Sequence, residues 1–134
     1  MLFVFDTNAL VSAMLKPVSL PAKAVECATQ KGKLIFSEET ENEYLNVIAR
    51  EKFNTYLPMA QRLKSATQLV VQSEKKEVSI LFTDVCRDVA DIKFLNLAFE
   101  WKVDCIVSGD WHLKELHPFR GVPILSPADF LKRF

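Results

Sequence analysis

Acids at the ends of apolar segments are the residues in this 134-residue chain that could do chemistry. Asp6 closes Leu2-Phe3-Val4-Phe5, and Asp110 closes Cys105-Ile106-Val107 after Ser108-Gly109. Asp91 opens a helical pattern and lies in line with Leu95 and Ala98, four and seven residues on, so it points inward. Glu38, Glu39, Glu41 and Glu43 crowd the start of another helix. Carboxylates gathered within a few ångströms cannot all stay ionised unless cations neutralise them. Hard oxygen ligands without paired His or Cys select Mg²⁺ or Mn²⁺. Such ions clamp a phosphodiester, activate a water and stabilise the departing oxygen. Each acid also has a plainer reading. Asp6 could bond the amides of its own turn, Asp91 could cap its helix, and the glutamates could be solvated first-turn acids favoured by the helix dipole.

The elements that must position these acids alternate along the chain. Leu2–Phe5 reads as a strand buried on both faces, and open parallel sheets place ligands beyond such carboxyl ends. A short helix over Ala9–Leu15 ends at Pro17, and Ser19 caps a second helix running to Gln30 with Gly32 beyond it. Leu34–Phe36 is the second strand, and Ser37 caps a helix lasting to about Phe53 with Tyr44, Leu45, Val47 and Ile48 inward. At ~100° per residue, Glu41 falls within that stripe and Glu43 at its edge. A helix over 57–72 turns Ala60, Leu63, Ala66, Thr67 and Val70 inward, Glu74–Glu77 is a charged turn, and Val78–Val85 is extended. In the helix from Asp91 to Lys102, the polar residues Lys93, Asn96 and Glu100 form one narrow stripe. Cys105–Val107 and Val122–Leu125 are further strands, and Ser126 with Asp129 forms a capping box for the last helix. The alternation predicts one α/β domain over residues 1–134, with helices on both faces of a mostly parallel sheet.

Composition limits the classes open to the chain. At 49% apolar with 3 Gly, disordered and collagen-like chains are excluded. No apolar run approaches the ~20 residues of a membrane span, and Met1 enters the first strand without a signal-peptide head, so no membrane association is expected. Cys27, Cys86 and Cys105 read as reduced core thiols of a cytoplasmic protein, and His112 and His117 lack zinc-finger spacing. Lys+Arg 17 against Asp+Glu 17 argues against broad electrostatic capture of nucleic acid. An acidic cleft rimmed by bases gives the same sum.

Taken together, these residues resemble the PIN-domain nucleases, in particular the toxins of toxin–antitoxin pairs (VapC-like ribonucleases). Val4 through Ser12 resembles the family's first motif, with Asp6 as metal ligand. Ser37 through Glu43, with Val47-Ile48, resembles the second and maps its acid onto Glu43. Cys86-Arg87-Asp88 and Asp91, with Phe94-Leu95 and Ala98, resemble the third, and Ile106 through Asp110 with Leu113 the fourth. Pro123 through Leu131 fits the group's ending. The resemblance implies a three-layer α/β/α fold and Mg²⁺- or Mn²⁺-dependent cleavage of RNA by Asp6, Glu43, Asp91 and Asp110. Asp6 and Asp110 would hold the principal ion, and Asp91 and Glu43 the attacking water or a second ion. Thr7, Asn8 and Ser108 would position ligands or substrate. Arg87, Lys93 and Lys114 are candidates for phosphate contacts. A small antitoxin and a homodimer are the partners the resemblance implies, besides the RNA substrate.

The chain departs from the family pattern at Val89, where a proline is common, and at Ile92 and His112, where further acids are common. A catalytically degenerate module that binds RNA or a protein is therefore the alternative. A haloacid-dehalogenase-like phosphatase is disfavoured, because Asn8 stands where that chemistry needs its proton donor.

Overall fold

A computed structural model describes residues 1–134. The elements run β1 (Leu2–Phe5), α1 (Thr7–Leu15), α2 (Leu20–Lys31), β2 (Lys33–Phe36), α3 (Glu38–Ile48), α4 (Met59–Gln72), β3 (Glu74–Lys75), α5 (Ile92–Glu100), β4 (Cys105–Val107), α6 (Trp111–Lys114), β5 (Ile124–Leu125) and α7 (Pro127–Arg133). Single 3₁₀ turns stand at Glu51–Phe53 and Val89–Asp91. The strands form one sheet in the order β3-β2-β1-β4-β5, and every pairing is parallel.

The alternation of side chains along β1 divides the core in two. Phe3 and Phe5 face Leu10, Ala24, Ala28, Tyr44, Ile48, Ala66 and Phe130, which come from α1, α2, α3, α4 and α7. Val4 faces the other side, against Phe94, Leu95, Leu97 and Ala98 of α5 and Leu113 of α6. The layers are therefore helix, sheet, helix. The Phe3 ring meets those of Phe130 and Phe134 edge-on at 5.3 and 5.4 Å, contacts worth about 0.5–1.5 kcal/mol each beyond area burial. Where α2 turns into β2, a Cβ on Gly32 would stand 2.1 Å from the Met1 carbonyl oxygen, so the close approach of the chains requires glycine there.

Several elements differ from the sequence-based expectation. Helix α3 stops at Ile48 rather than near Phe53, because a fully buried arginine takes over the carbonyls at its end. Arg62 donates to Ile48 O at 2.6 Å, to Arg50 O at 3.2 Å, to Asn54 Oδ1 at 3.0 Å and to Leu57 O. The inner face of α4 is accordingly Arg62, Ala66, Leu69 and Val70, while Ala60, Leu63 and Thr67 are exposed. Glu74-Lys75 is a strand rather than a turn: its backbone pairs with Ile35 and Phe36 of β2, while the Lys75 and Glu74 side chains pair with Glu41 and Lys76.

Residues 78–85 form no strand. The polar stripe of α5 holds that stretch instead. Glu100 Oε1 accepts the Ser79 and Ile80 amides at 2.8 and 2.9 Å, and Asn96 Oδ1 accepts the Phe82 amide at 2.9 Å. The α-helix begins at Ile92, one residue after Asp91, and the last strand shortens to Ile124-Leu125.

Candidate active site

Parallel strands β1 and β4 end side by side, so the residues that follow them meet. The Asp6 amide donates to Val107 O at 3.0 Å, and Asp6, only 3% exposed, starts α1 by accepting the Ala9 amide at Oδ1, 2.8 Å away. Its other oxygen accepts the Ser108 hydroxyl, and Ser108 Oγ in turn accepts the Asp110 amide at 2.9 Å. Asp110 Oδ1 accepts the His112 amide at 2.8 Å, which opens α6. Asp6 is thus a turn acid and a site acid at once, with one oxygen in each role.

Glu43 reaches the same place from α3. Thr7 Oγ1 donates to its Oε1 at 2.5 Å, and Lys93 Nζ lies 2.5 Å from its Oε2. The other glutamates go elsewhere. Glu41 pairs with Lys75 at 3.1 Å, and Glu38 and Glu39 line a separate, larger cavity of about 680 Å³ with Lys75, Lys76 and Lys93. Asp91 makes no cap hydrogen bond, and the adjacent turn is capped by Asp88 through the Ala90 amide at 3.0 Å. The capping role open to Asp91 in the sequence is therefore taken by its neighbour. Asp91 Oδ2 is buried with no hydrogen-bond partner.

Asp6, Glu43, Asp91 and Asp110, with Thr7 and Asn8, line one cavity of about 240 Å³. Asp88 and Arg50 line it too, and neither was singled out for this site from the sequence. Arg50 belongs to a stretch that reads as helix interior, and only the early end of α3 turns it to the cleft. Ser108 lies fully buried beneath the acids. Arg87 is not among the walls: its guanidinium pairs with Glu115 at 3.1 Å. Lys114 is also absent from the walls, and Lys93 enters only through Glu43.

Burial and crowding push protons onto Asp6 and Asp91. Burial raises Asp6 to about 6 against the opposing hydrogen bonds from Ser108 and Ala9, with Asp110 and Glu43 adding repulsion. Asp91 is raised to about 7 by burial, then by the neighbouring Asp110 carboxyl and the charges of Asp88 and Asp6.

The fit to a metal has two sides. No three acids stand close enough to form a ready-made cage. Yet an orphaned buried carboxylate oxygen, two carboxyls raised toward neutrality and a donor set of oxygen alone all match a hard divalent cation. The donor chemistry fits Mg²⁺ or Mn²⁺, with Glu43 having to leave Lys93 to join.

Known proteins supply an independent comparison. The solved structure of VapBC2 from Rickettsia felis, bound to a DNA fragment from its promoter, superposes with a TM-score of 0.63 at 10% identity, over 92% of this chain and 97% of that one. That is a likeness of fold. An uncharacterised protein of Methanocaldococcus jannaschii, MJ1680, is 31% identical over 152 aligned residues, covering 98% of this chain and 90% of its own length. The model of the PIN domain matches residues 3–112, a span that begins in β1 and takes in all the acids of the cavity. With the sheet order, the acids at its carboxyl edge and this match in agreement, the chain belongs to the PIN-domain family.

Proposed function

We propose that this chain is a Mg²⁺- or Mn²⁺-dependent endoribonuclease and the toxin of a toxin–antitoxin pair, acting as a single domain through Asp6, Glu43, Asp91 and Asp110. The observation that carries the reading is one cavity walled by these acids at the ends of β1 and β4, with Asp91 among them carrying a buried oxygen that has no partner. Asp6, Asp91 and Asp110 would hold the cation, with Glu43 joining them. When bound, the ion supplies charge to the phosphodiester and makes a water nucleophilic near neutral pH.

The chain's own groups do the rest. The Ser108 hydroxyl donates to Asp6 and accepts the Asp110 amide, which fixes the relative orientation of these two carboxylates. Thr7 fixes one Glu43 oxygen in the same way, leaving the other for the attacking water once Lys93 moves away. Asn8, exposed at the cavity wall, is placed to meet the strand being cut. The Rickettsia structure is of VapBC2 on promoter DNA, which supports a small antitoxin protein as partner. A homodimer in the cytoplasm belongs to the same proposal. No helix is long and apolar enough to cross a membrane.

The test is incubation of the purified chain with single-stranded and hairpin RNAs. Cleavage is expected with Mg²⁺ or Mn²⁺, none with EDTA, and none for Asp6→Asn. Growth arrest on expression, relieved by Asp6→Asn, is the outcome expected of a toxin. A second reading, a module that binds RNA or protein without cutting, is favoured by one feature: Lys93 already occupies Glu43 at 2.5 Å. RNA bound but left intact under every metal would decide for that module.

A further inference from the structure

Arg50 is out of place by charge alone. The cavity walls carry Asp6, Glu43, Asp88, Asp91 and Asp110, and Arg50 is their only cationic residue. A guanidinium beside so many carboxylates ordinarily pairs with one of them bidentately. Arg50 makes no ion pair. Its backbone is fixed at three points. The Arg50 amide donates to Val47 O at 3.1 Å, its carbonyl accepts from Phe53 N at 3.1 Å, and the same carbonyl accepts from Arg62 at 3.2 Å. Arg62 is fully buried, has no carboxylate partner and gives all its hydrogen bonds to the segment from Ile48 to Leu57. The other bases of the region are engaged: Lys93 with Glu43, Arg87 with Glu115 and Lys75 with Glu41. Buried Arg62 thus fixes the turn that sets exposed Arg50, which has no ion-pair partner, on the wall of the acid cleft.

Resting on the nuclease reading of this cleft, we propose that Arg50 holds a non-bridging phosphate oxygen of the bound RNA strand, and that Arg62 is the positioning residue that sets it there. A phosphodiester brings the anionic partner that Arg50 does not find among the cavity's carboxylates. The planar fork of an arginine suits two phosphate oxygens at once, which a lysine cannot match.

The experiment measures binding of a fluorescein-labelled single-stranded RNA to Asp6→Asn protein, with and without Arg50→Ala, across a salt series. Cleavage by the same Arg50 variant is followed in otherwise native protein. Arg50→Ala is expected to weaken RNA binding about ten- to hundred-fold and to reduce the slope of log K against log salt by about 0.7, one phosphate contact on a single strand. It should raise KM while leaving Mn²⁺ affinity intact. Arg50→Lys should keep the salt slope yet bind several-fold more weakly. Arg62→Lys should weaken RNA binding in the native Arg50 background but add nothing to Arg50→Ala, a non-additivity that a merely structural role would not produce.

Unchanged RNA affinity and salt slope in Arg50→Ala would overturn the proposal, as would a gain in Mn²⁺ affinity with RNA binding unaltered, which marks Arg50 as a mere counter-ion of the acids. Native protein that binds RNA without cutting it would sink the nuclease reading instead, and the Arg50 comparison would still stand on binding alone.

Discussion

Asp6 and Asp91 both hold protons more tightly than an ordinary aspartate, and this sets how the metal-free protein responds to pH. The folded-state value of Asp6, about 6, lies above the ordinary 3.8, so between them the folded chain binds a proton that the unfolded chain has released. Stability from this source is complete below about pH 4 and is lost as pH rises through about 6. For buried Asp6 the loss is on the order of 3 kcal/mol. Asp91, raised to about 7, extends the fall toward neutrality. The melting temperature of the metal-free chain is therefore expected to drop between about pH 4 and pH 7, and Mn²⁺ to raise it far more at pH 8 than at pH 5. Asp91→Asn should flatten the acid-to-neutral slope and raise stability at pH 8 while abolishing cleavage. Parallel calorimetric melts of both proteins check this, and a fall no shallower in the variant would count against it. Ser108→Ala leaves Asp6 Oδ2 and the Asp110 amide without their shared partner. It should weaken Mn²⁺ binding roughly 10–100-fold, read by isothermal titration.

At the scale of elements, the strands and helices that carry the acids were legible because each obeys a local rule. The four-residue apolar run of β1 and the serine caps of α2 and α3 hold in the fold, and Leu95 and Ala98 are buried together with one oxygen of half-buried Asp91. What could not be read depends on partners distant in sequence. The charged pair Glu74-Lys75 becomes a strand because β2 presents an open backbone edge. Arg62 is outside the inward positions that the helix pattern predicts, and nothing local reveals that the carbonyls of Ile48, Arg50 and Leu57 will surround it. The separation of Glu43 from Glu39 and Glu41 likewise came from family resemblance, because helical angle alone favoured Glu41. The polar stripe of α5 shows in the sequence only as a stripe, and in the fold it tethers the stretch before it through Asn96 and Glu100. Glu100→Ala should accordingly speed hydrogen exchange at the Ser79 and Ile80 amides by ten-fold or more and leave the β1 amides unchanged. Protection equal to that of the parent protein would mean the tether is not what orders this stretch.

Across the whole molecule, charge and packing are assigned to different places. Both apolar clusters meet at the sheet, and Leu95 and Ile106 are fully buried in one of them. Leu95→Ala should cost about 2–5 kcal/mol in denaturant unfolding through the cavity it leaves in this cluster. The molecule carries no net charge, so it has no net attraction to draw in a polyanion from a distance. On the proposed nuclease reading, RNA would then be held by a few local contacts and by ions bound to the acids. Contacts to one to three phosphates give a slope of log K against log salt of roughly −0.7 to −2 on a single strand. Proteins that bind through broad basic faces fall off much more steeply. Titration of labelled RNA against Asp6→Asn protein across about 50 to 300 mM salt checks this. A slope several times steeper would point to a basic surface that zero net charge conceals, and would move the site of RNA capture away from the cleft between β1 and β4.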